Sequence, residues 1–252
     1  FAKVRHHPEI PATKAVRSYR AFVHSLQARF DRRKDSPHFA AADRLLSEKA
    51  GQVALARGAP LIAYSYYADA AFRMMEGSGL PRVLFQVHPN GKYLRELFQR
   101  EIEKVPEAKA SLMEETEMSP LFAHNDETFA QADAVICASS FTQHSLAAAG
   151  SKVPAHVVGY GVDLDLFSVR TVAPAARRLT IGFVGALSQR KGARYLLGAL
   201  AALPKGAAKL VLYTRATVDR DLLRGFESVD VEIRGGLSDV QLAADLKQCD
   251  LV

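Results

Sequence analysis

Short apolar runs alternate along this chain with longer stretches of helical spacing, and that alternation leaves few folds open. The runs lie at 61–64, 82–87, 134–138, 155–158, 179–184, 209–213 and 229–233. Each is too short for an ordinary helix and is bounded by Gly, Pro or polar residues. Between them, apolar residues recur three and four apart, which is the period of a helix with one buried face. Continuous apolar strands separated by amphipathic helices are what parallel sheets built from βαβ units require, because both sheet faces are covered. The spacing predicts helices over 12–30, 36–57, 67–76, 92–104, 106–118, 120–129, 141–149, 191–203, 218–226 and 238–248. Leu251 and Val252 read as the opening of a further strand.

The 252 residues suffice for one large domain or two small ones. The polar, irregular stretch 163–176, with Pro174 inside it, separates two runs of the same pattern. The expected organisation is a Rossmann-like domain over 1–162, a linker over 163–176 and part of a second Rossmann-like domain over 177–252. Phe1 stands where Met is usual and the last residues look like a strand cut short, so the chain is expected to be trimmed at both ends, with the second domain incomplete. No apolar run approaches the roughly 20 residues of a membrane span, and no secretory pattern opens the chain. Cys137 and Cys249 lack zinc-type neighbours and sit in or beside expected strands, which suits buried thiols in a reducing cytoplasm.

The formal net charge is +6. Up to residue 60 there are 12 Lys and Arg against 5 acids, densest at Arg29, Arg32, Arg33 and Lys34. Such a face can attract phosphate-bearing substrates, anionic lipid or nucleic acid, or it can be a solvated helix end.

In open α/β sheets ligands bind beyond the carboxyl ends of the strands. The loop Gly185-Ala-Leu-Ser-Gln-Arg-Lys-Gly192 follows one strand and opens the next helix. Free N–H groups at a helix N-terminus suit a phosphate. Arg190 and Lys191 there oppose the helix dipole unless an anion is bound. The order Gly-x-x-x-x-Gly-Lys-Ser/Thr is absent, so this is no Walker loop. Tyr64, Ser65 and Tyr66 follow the first strand, His88 ends the second in His88-Pro89-Asn90-Gly91, and Ser139 and Ser140 cap a helix after the third. His6-His7-Pro8-Glu9 lacks metal-site spacing, and Glu114, Glu115 and Glu117 read as a solvated helix face rather than paired catalytic acids.

Taken together, Ala132-Asp-Ala-Val-Ile-Cys-Ala-Ser-Ser140, Gly159-Tyr-Gly-Val-Asp163 with Phe167, Ile181-Gly-Phe-Val-Gly185, Lys191-Gly192 and Tyr195-Leu-Leu197 resemble the group-one glycosyltransferases, the large retaining family four. The close likeness covers the stretch from Ala134 to Leu203.

The resemblance implies two Rossmann-like domains of the GT-B type, the second binding a nucleotide-diphospho-sugar and the first a saccharide, lipid-linked glycan or small-molecule acceptor. It implies that Gly185, Arg190, Lys191 and Gly192 form the donor phosphate site, with Lys191 stabilising the leaving phosphate. His88 would touch the donor sugar, and Tyr64, Ser65, Tyr66 and Ser139 would lie on the acceptor side. Asp163 and Phe167 would position the hinge. No metal or other cofactor is obligatory in that family. Most members carry Arg directly after the first Gly of the loop, where this chain has Ala186; Arg190 could supply that charge from another position. The family's Glu-x7-Glu donor segment would lie beyond Leu251, so the 252 residues alone are expected to transfer no sugar. The basic first 60 residues are compatible with peripheral contact at the inner membrane face; nucleic acid is not an expected partner. A sugar-nucleotide epimerase or phosphorylase on the same fold, or a non-catalytic relative, are the alternatives.

Overall fold

The structure, a computed structural model, describes residues 20, 21, 23, 24, 27, 37–117, 128–168, 178–216, 218 and 220–252. The basic cluster at 29–34, the His6-His7-Pro8-Glu9 stretch, most of the helix expected over 12–30 and much of the 163–176 segment lie outside these residues, as do the side chains of Glu114, Glu115 and Glu117. The chain divides into two compact units. One holds the described residues within Phe1–Arg95 and Ser119–Gly159; the other holds those within Glu96–Met118 and Tyr160–Val252.

The first unit carries helix α1 (Pro37–Arg57), β1 (Leu61–Tyr64), α2 (Asp69–Met74) and β2 (Arg82–Gln86), then β3 (Ala134–Cys137), α5 (Ser140–Ala148) and β4 (Ala155–Val157). Its sheet is parallel throughout, in the order β1-β2-β3-β4. Alternate strand residues meet helices on one face: Leu84, Val135 and Cys137 pack with Ala68, Phe72 and Leu146. Each large side chain fully buried there contributes about 1.5–3 kcal/mol. The register of β2 and β3 is fixed at its base. Asp133 accepts hydrogen bonds from the Arg82 backbone N–H (2.7 Å) and guanidinium, while its own N–H donates to the Arg82 carbonyl.

Helix α3 (Gly91–Lys104) contributes to both units. A 3-10 turn (Pro106–Ala108) and α4 (Lys109–Glu117) follow within the second unit. That unit is completed by β5 (Leu179–Val184), α6 (Ala193–Ala201), β6 (Ala208–Tyr213), β7 (Val231–Arg234) and α7 (Asp239–Leu246). The strands β5-β6-β7 are parallel, and Leu251 pairs in parallel with Ile181 on the free side of β5. The spatial order is therefore β7-β6-β5-Leu251, and the chain reverses its direction of winding beside β5. Central β6 is buried on both faces. Leu210 packs with Leu197 and Leu200, Leu212 with Leu187, Ala193 and Leu222, while Val211 and Tyr213 pack with Cys249. A continuous apolar run is the sequence form of such a strand. Both units are thus α/β with parallel sheets, as the alternation requires.

Two expected elements differ. The helix expected over 218–226 is a single 3-10 turn, Arg220–Leu223. Leu222, Leu223 and Val218 still face the core, and Gly225 turns the chain away at φ 85°. The helix expected from Lys191 starts later, at Ala193, because Gly192 adopts a left-handed φ of 75°.

Candidate functional site

In the second unit the carboxyl end of β5 passes into Gly185, whose φ of 113° favours glycine. A Cβ at this position would fall on the Lys191 ammonium. The loop then runs through Ser188 into a 3-10 turn, Gln189–Lys191, before Gly192 and α6. Gln189 holds the loop in place. Its buried side chain donates from Nε2 to Glu101 Oε1 (2.6 Å) and accepts from the Arg194 N–H at Oε1 (3.1 Å). Glu101 Oε2 also accepts from the Tyr195 phenol (3.0 Å). That hydrogen bond raises the Tyr195 phenol above its ordinary range.

Three of the N–H groups at the start of α6 are already engaged within the loop. Gly192 donates to the Gln189 carbonyl, Ala193 to the Ser188 carbonyl and Arg194 to the Gln189 side chain. The helix N-terminus expected to be free is thus closed in part. Among the described residues, the N–H groups of Ala186, Leu187, Ser188 and Gln189 have no partner. Nearby, Lys191 Nζ donates to the Val184 carbonyl at 3.3 Å and has no carboxylate partner among the described residues. The loop's donors are therefore the 186–189 backbone and Lys191. Arg190 and Lys191 sit on the 3-10 turn, separated from α6 by Gly192.

A cavity of about 400 Å³ opens over the carboxyl ends of β5, β6 and β7, lined by Gly185, Ala186, Thr214, Arg215, Gly235 and Asp239 among others. Gly235 lies so close to the Thr214 carbonyl that a Cβ would come within 2.9 Å of it. Arg234 at the cavity is bound to Glu232 and Asp245 at 2.6 Å each, which holds its guanidinium firmly charged. Arg215 Nη2 donates to the Leu237 carbonyl. Sequence reasoning missed Glu101, which lies 88 residues before Gln189. The Gly235-Gly236 pair after β7 was a legible turn signal.

In the first unit, two of the expected residues meet at the carboxyl ends of β1 and β2. The Tyr66 and His88 rings lie 5.7 Å apart. Among the described residues, Tyr66 is the non-glycine residue with positive φ, 80°, a conformation that costs about 1–3 kcal/mol and persists where surrounding structure enforces it. Burial pushes its phenol up to about 12, so it holds its proton well above neutral pH. His88 is exposed, and its carbonyl accepts from the buried Gln86 side chain. Ser65 Oγ and Gln86 Oε1 are buried without a hydrogen-bond partner at the ends of these adjacent strands. Tyr64 is exposed against the edge of Phe85. Ser139 is occupied as the cap of α5, accepting from the Thr142 N–H. Asp163 Oδ1 accepts from the Asp165 and Leu166 N–H groups and so closes a local turn. His88 belongs to the first unit and Lys191 to the second.

Among the described residues no cluster of three or more His, Cys, Asp or Glu could hold a metal ion, and no helix is long and apolar enough to cross a membrane. Both cysteines are buried free thiols.

No protein-family profile and no curated protein matches the chain. Among solved structures, it is similar to a complex of 3,4-dichloroaniline with a UDP-glucosyltransferase from Polygonum tinctorium capable of glucosylating indoxyl. The identity is 11%, the TM-score 0.41, and the match covers 88% of this chain and 65% of that one.

Proposed function

We propose that the chain is part of a retaining glycosyltransferase that uses a nucleotide-diphospho-sugar. The observation that carries this is Lys191. Its ammonium lies at the carboxyl end of β5 without a carboxylate partner among the described residues, beside the unpartnered N–H groups of Ala186 and Leu187. A cation and backbone donors at that edge of a parallel sheet form an anion site. The motifs between Ala132 and Leu197 agree with this assignment.

In this mechanism the donor diphosphate lies on the 185–191 loop. As the bond from the anomeric carbon to the phosphate oxygen breaks, Lys191 stabilises the charge gathering on the departing diphosphate. The acceptor hydroxyl attacks the same face of the sugar, and its proton passes to the departing phosphate oxygen. Gly185 keeps the backbone close to the diphosphate, and Arg190 supplies further positive charge on the loop. His88 touches the donor sugar near the anomeric carbon, and Tyr66 serves the acceptor side. Arg234, bound between two carboxylates, shapes the neighbouring cavity.

The test is product analysis on the full-length protein with nucleotide-sugars and a panel of hydroxyl acceptors. A glycoside with the donor's anomeric configuration is expected. An inverted product, a free epimer, a sugar phosphate or no transfer to any acceptor contradicts the proposal.

A further inference from the structure

In the first unit, helix α1 packs on α2 through small residues of one face. A Cβ at Gly51 would come within 3.1 Å of the Ala71 Cα. One turn earlier, buried Ser47 accepts from the Ala71 N–H at 3.0 Å. One turn earlier again, on the same face, stands Asp43. There a cavity of about 580 Å³ lies between α1, α2 and the turn after β1, with Tyr67 and Met74 also on its lining. Its size falls within the roughly 300–1,000 Å³ of small-molecule sites.

Among the described residues, Asp43 is the uncompensated charge on that lining. Arg44 pairs with Glu48 at 2.9 Å and Arg73 with Asp69 at 3.0 Å, all four on the lining, which is therefore net negative. Asp69 also accepts from the Gln131 amide at 3.2 Å. The Asp43 side chain is half-buried and has neither an ion pair nor a hydrogen bond among the described residues. Burial raises its carboxyl above the usual range. A desolvated carboxylate without a partner opposes folding. A small apolar residue would suit this face better, and such a local conflict is expected where a group serves binding.

The charge and the neighbouring side chains select the ligand. The net negative lining repels an anion. A neutral ligand would strip further water from Asp43 and return no charge. A divalent metal ion needs several oxygen ligands, and no cluster of three His, Cys, Asp or Glu stands among the described residues. An organic ammonium gives Asp43 charge-assisted hydrogen bonds. Its body can lie on the half-exposed Tyr67 ring and the Met74 thioether, both soft, polarisable surfaces. Arg44 and Arg73 do not drive it off, because each is neutralised by its own carboxylate. We propose that this cavity binds a primary ammonium carried on an apolar or aromatic body, with Asp43 as its counter-ion. The site does not rest on the transferase assignment.

The test titrates the full-length protein, followed by NMR, with phenethylamine, phenethyl alcohol and phenylacetate. These probes are nearly one shape and are cationic, neutral and anionic at neutral pH. The amine should bind about tenfold or more tightly than the alcohol, the ratio expected for a hydrogen bond to a charged group, and the acid should not bind. Asp43→Asn keeps the side chain's shape and should weaken amine binding by about tenfold or more. Its melting temperature should equal or exceed that of the wild type, because the unpartnered charge is gone. Tyr67→Ala, at a half-exposed position, should also weaken amine binding. No binding of the amine, equal affinity for the alcohol, full amine affinity in either variant, or a lower melting temperature of Asp43→Asn overturns the site.

Discussion

Lys191 occupies the space that any side chain at Gly185 would need. The two residues lie at opposite ends of the loop after β5, so its glycine and its lysine form one device. Gly185 permits a φ of 113° and leaves room for the ammonium, which reaches back to the Val184 carbonyl.

Gly185→Ala should therefore act twice. The left-handed conformation costs a non-glycine residue about 1–3 kcal/mol, and the new methyl group displaces Lys191. Chemical denaturation should show the stability loss. Calorimetry should show weaker nucleotide-sugar binding than a correction for unfolded protein explains.

Glu101→Ala should loosen the same loop from a distance. It removes the acceptor of buried Gln189 and of Tyr195. Leaving the Gln189 amide unsatisfied should destabilise the protein by about 1–3 kcal/mol. The Tyr195 phenol, raised chiefly by its hydrogen bond to Glu101, should titrate lower in the variant, nearer 10.0. Absorbance titration against a Tyr195→Phe control measures this.

Tyr66 makes stability fall in alkali. Its folded value, about 12, lies above its ordinary 10.0, so the folded state holds the proton more tightly. That contribution is complete below pH 10 and is lost as pH rises towards 12. Thermal melts should show Tyr66→Phe falling less steeply across that window than the wild type.

Asp133 acts in the opposite range. Its hydrogen bonds from Arg82 hold its carboxyl below the ordinary 3.8. The stabilisation is present above that value and is lost as pH falls through the lowered one. The Asp133 side chain is about half exposed, so Asp133→Asn should cost only about 0.5–1 kcal/mol at neutral pH. Denaturation midpoints of variant and wild type should converge in acid.

The strands among the described residues were legible because each is a short run dominated by apolar residues between turn signals, continuous where, as in β6, both faces are buried; 179–184 matches β5 residue for residue. The 218–226 helix was not, because core-facing residues at 218, 222 and 223 mimic helical spacing around one 3-10 turn. The loop's glycines and Lys191 were visible, but the closure of α6's N–H groups by Gln189 was not, since it depends on a three-dimensional turn. Glu101 carried no local signal. It matters through Gln189, a residue distant in sequence, and that condition is not written in neighbouring residues.

The central claim is that Lys191 binds the diphosphate of a sugar donor. Isothermal titration of the full-length protein with UDP-glucose and GDP-mannose, wild type against Lys191→Ala, tests it most directly. At least one donor should bind the wild type. The variant should bind it about tenfold or more weakly, as expected on losing a charge-assisted hydrogen bond, with an unchanged melting temperature. Indifference of the wild type to both donors, or equal affinity in the variant, contradicts the claim.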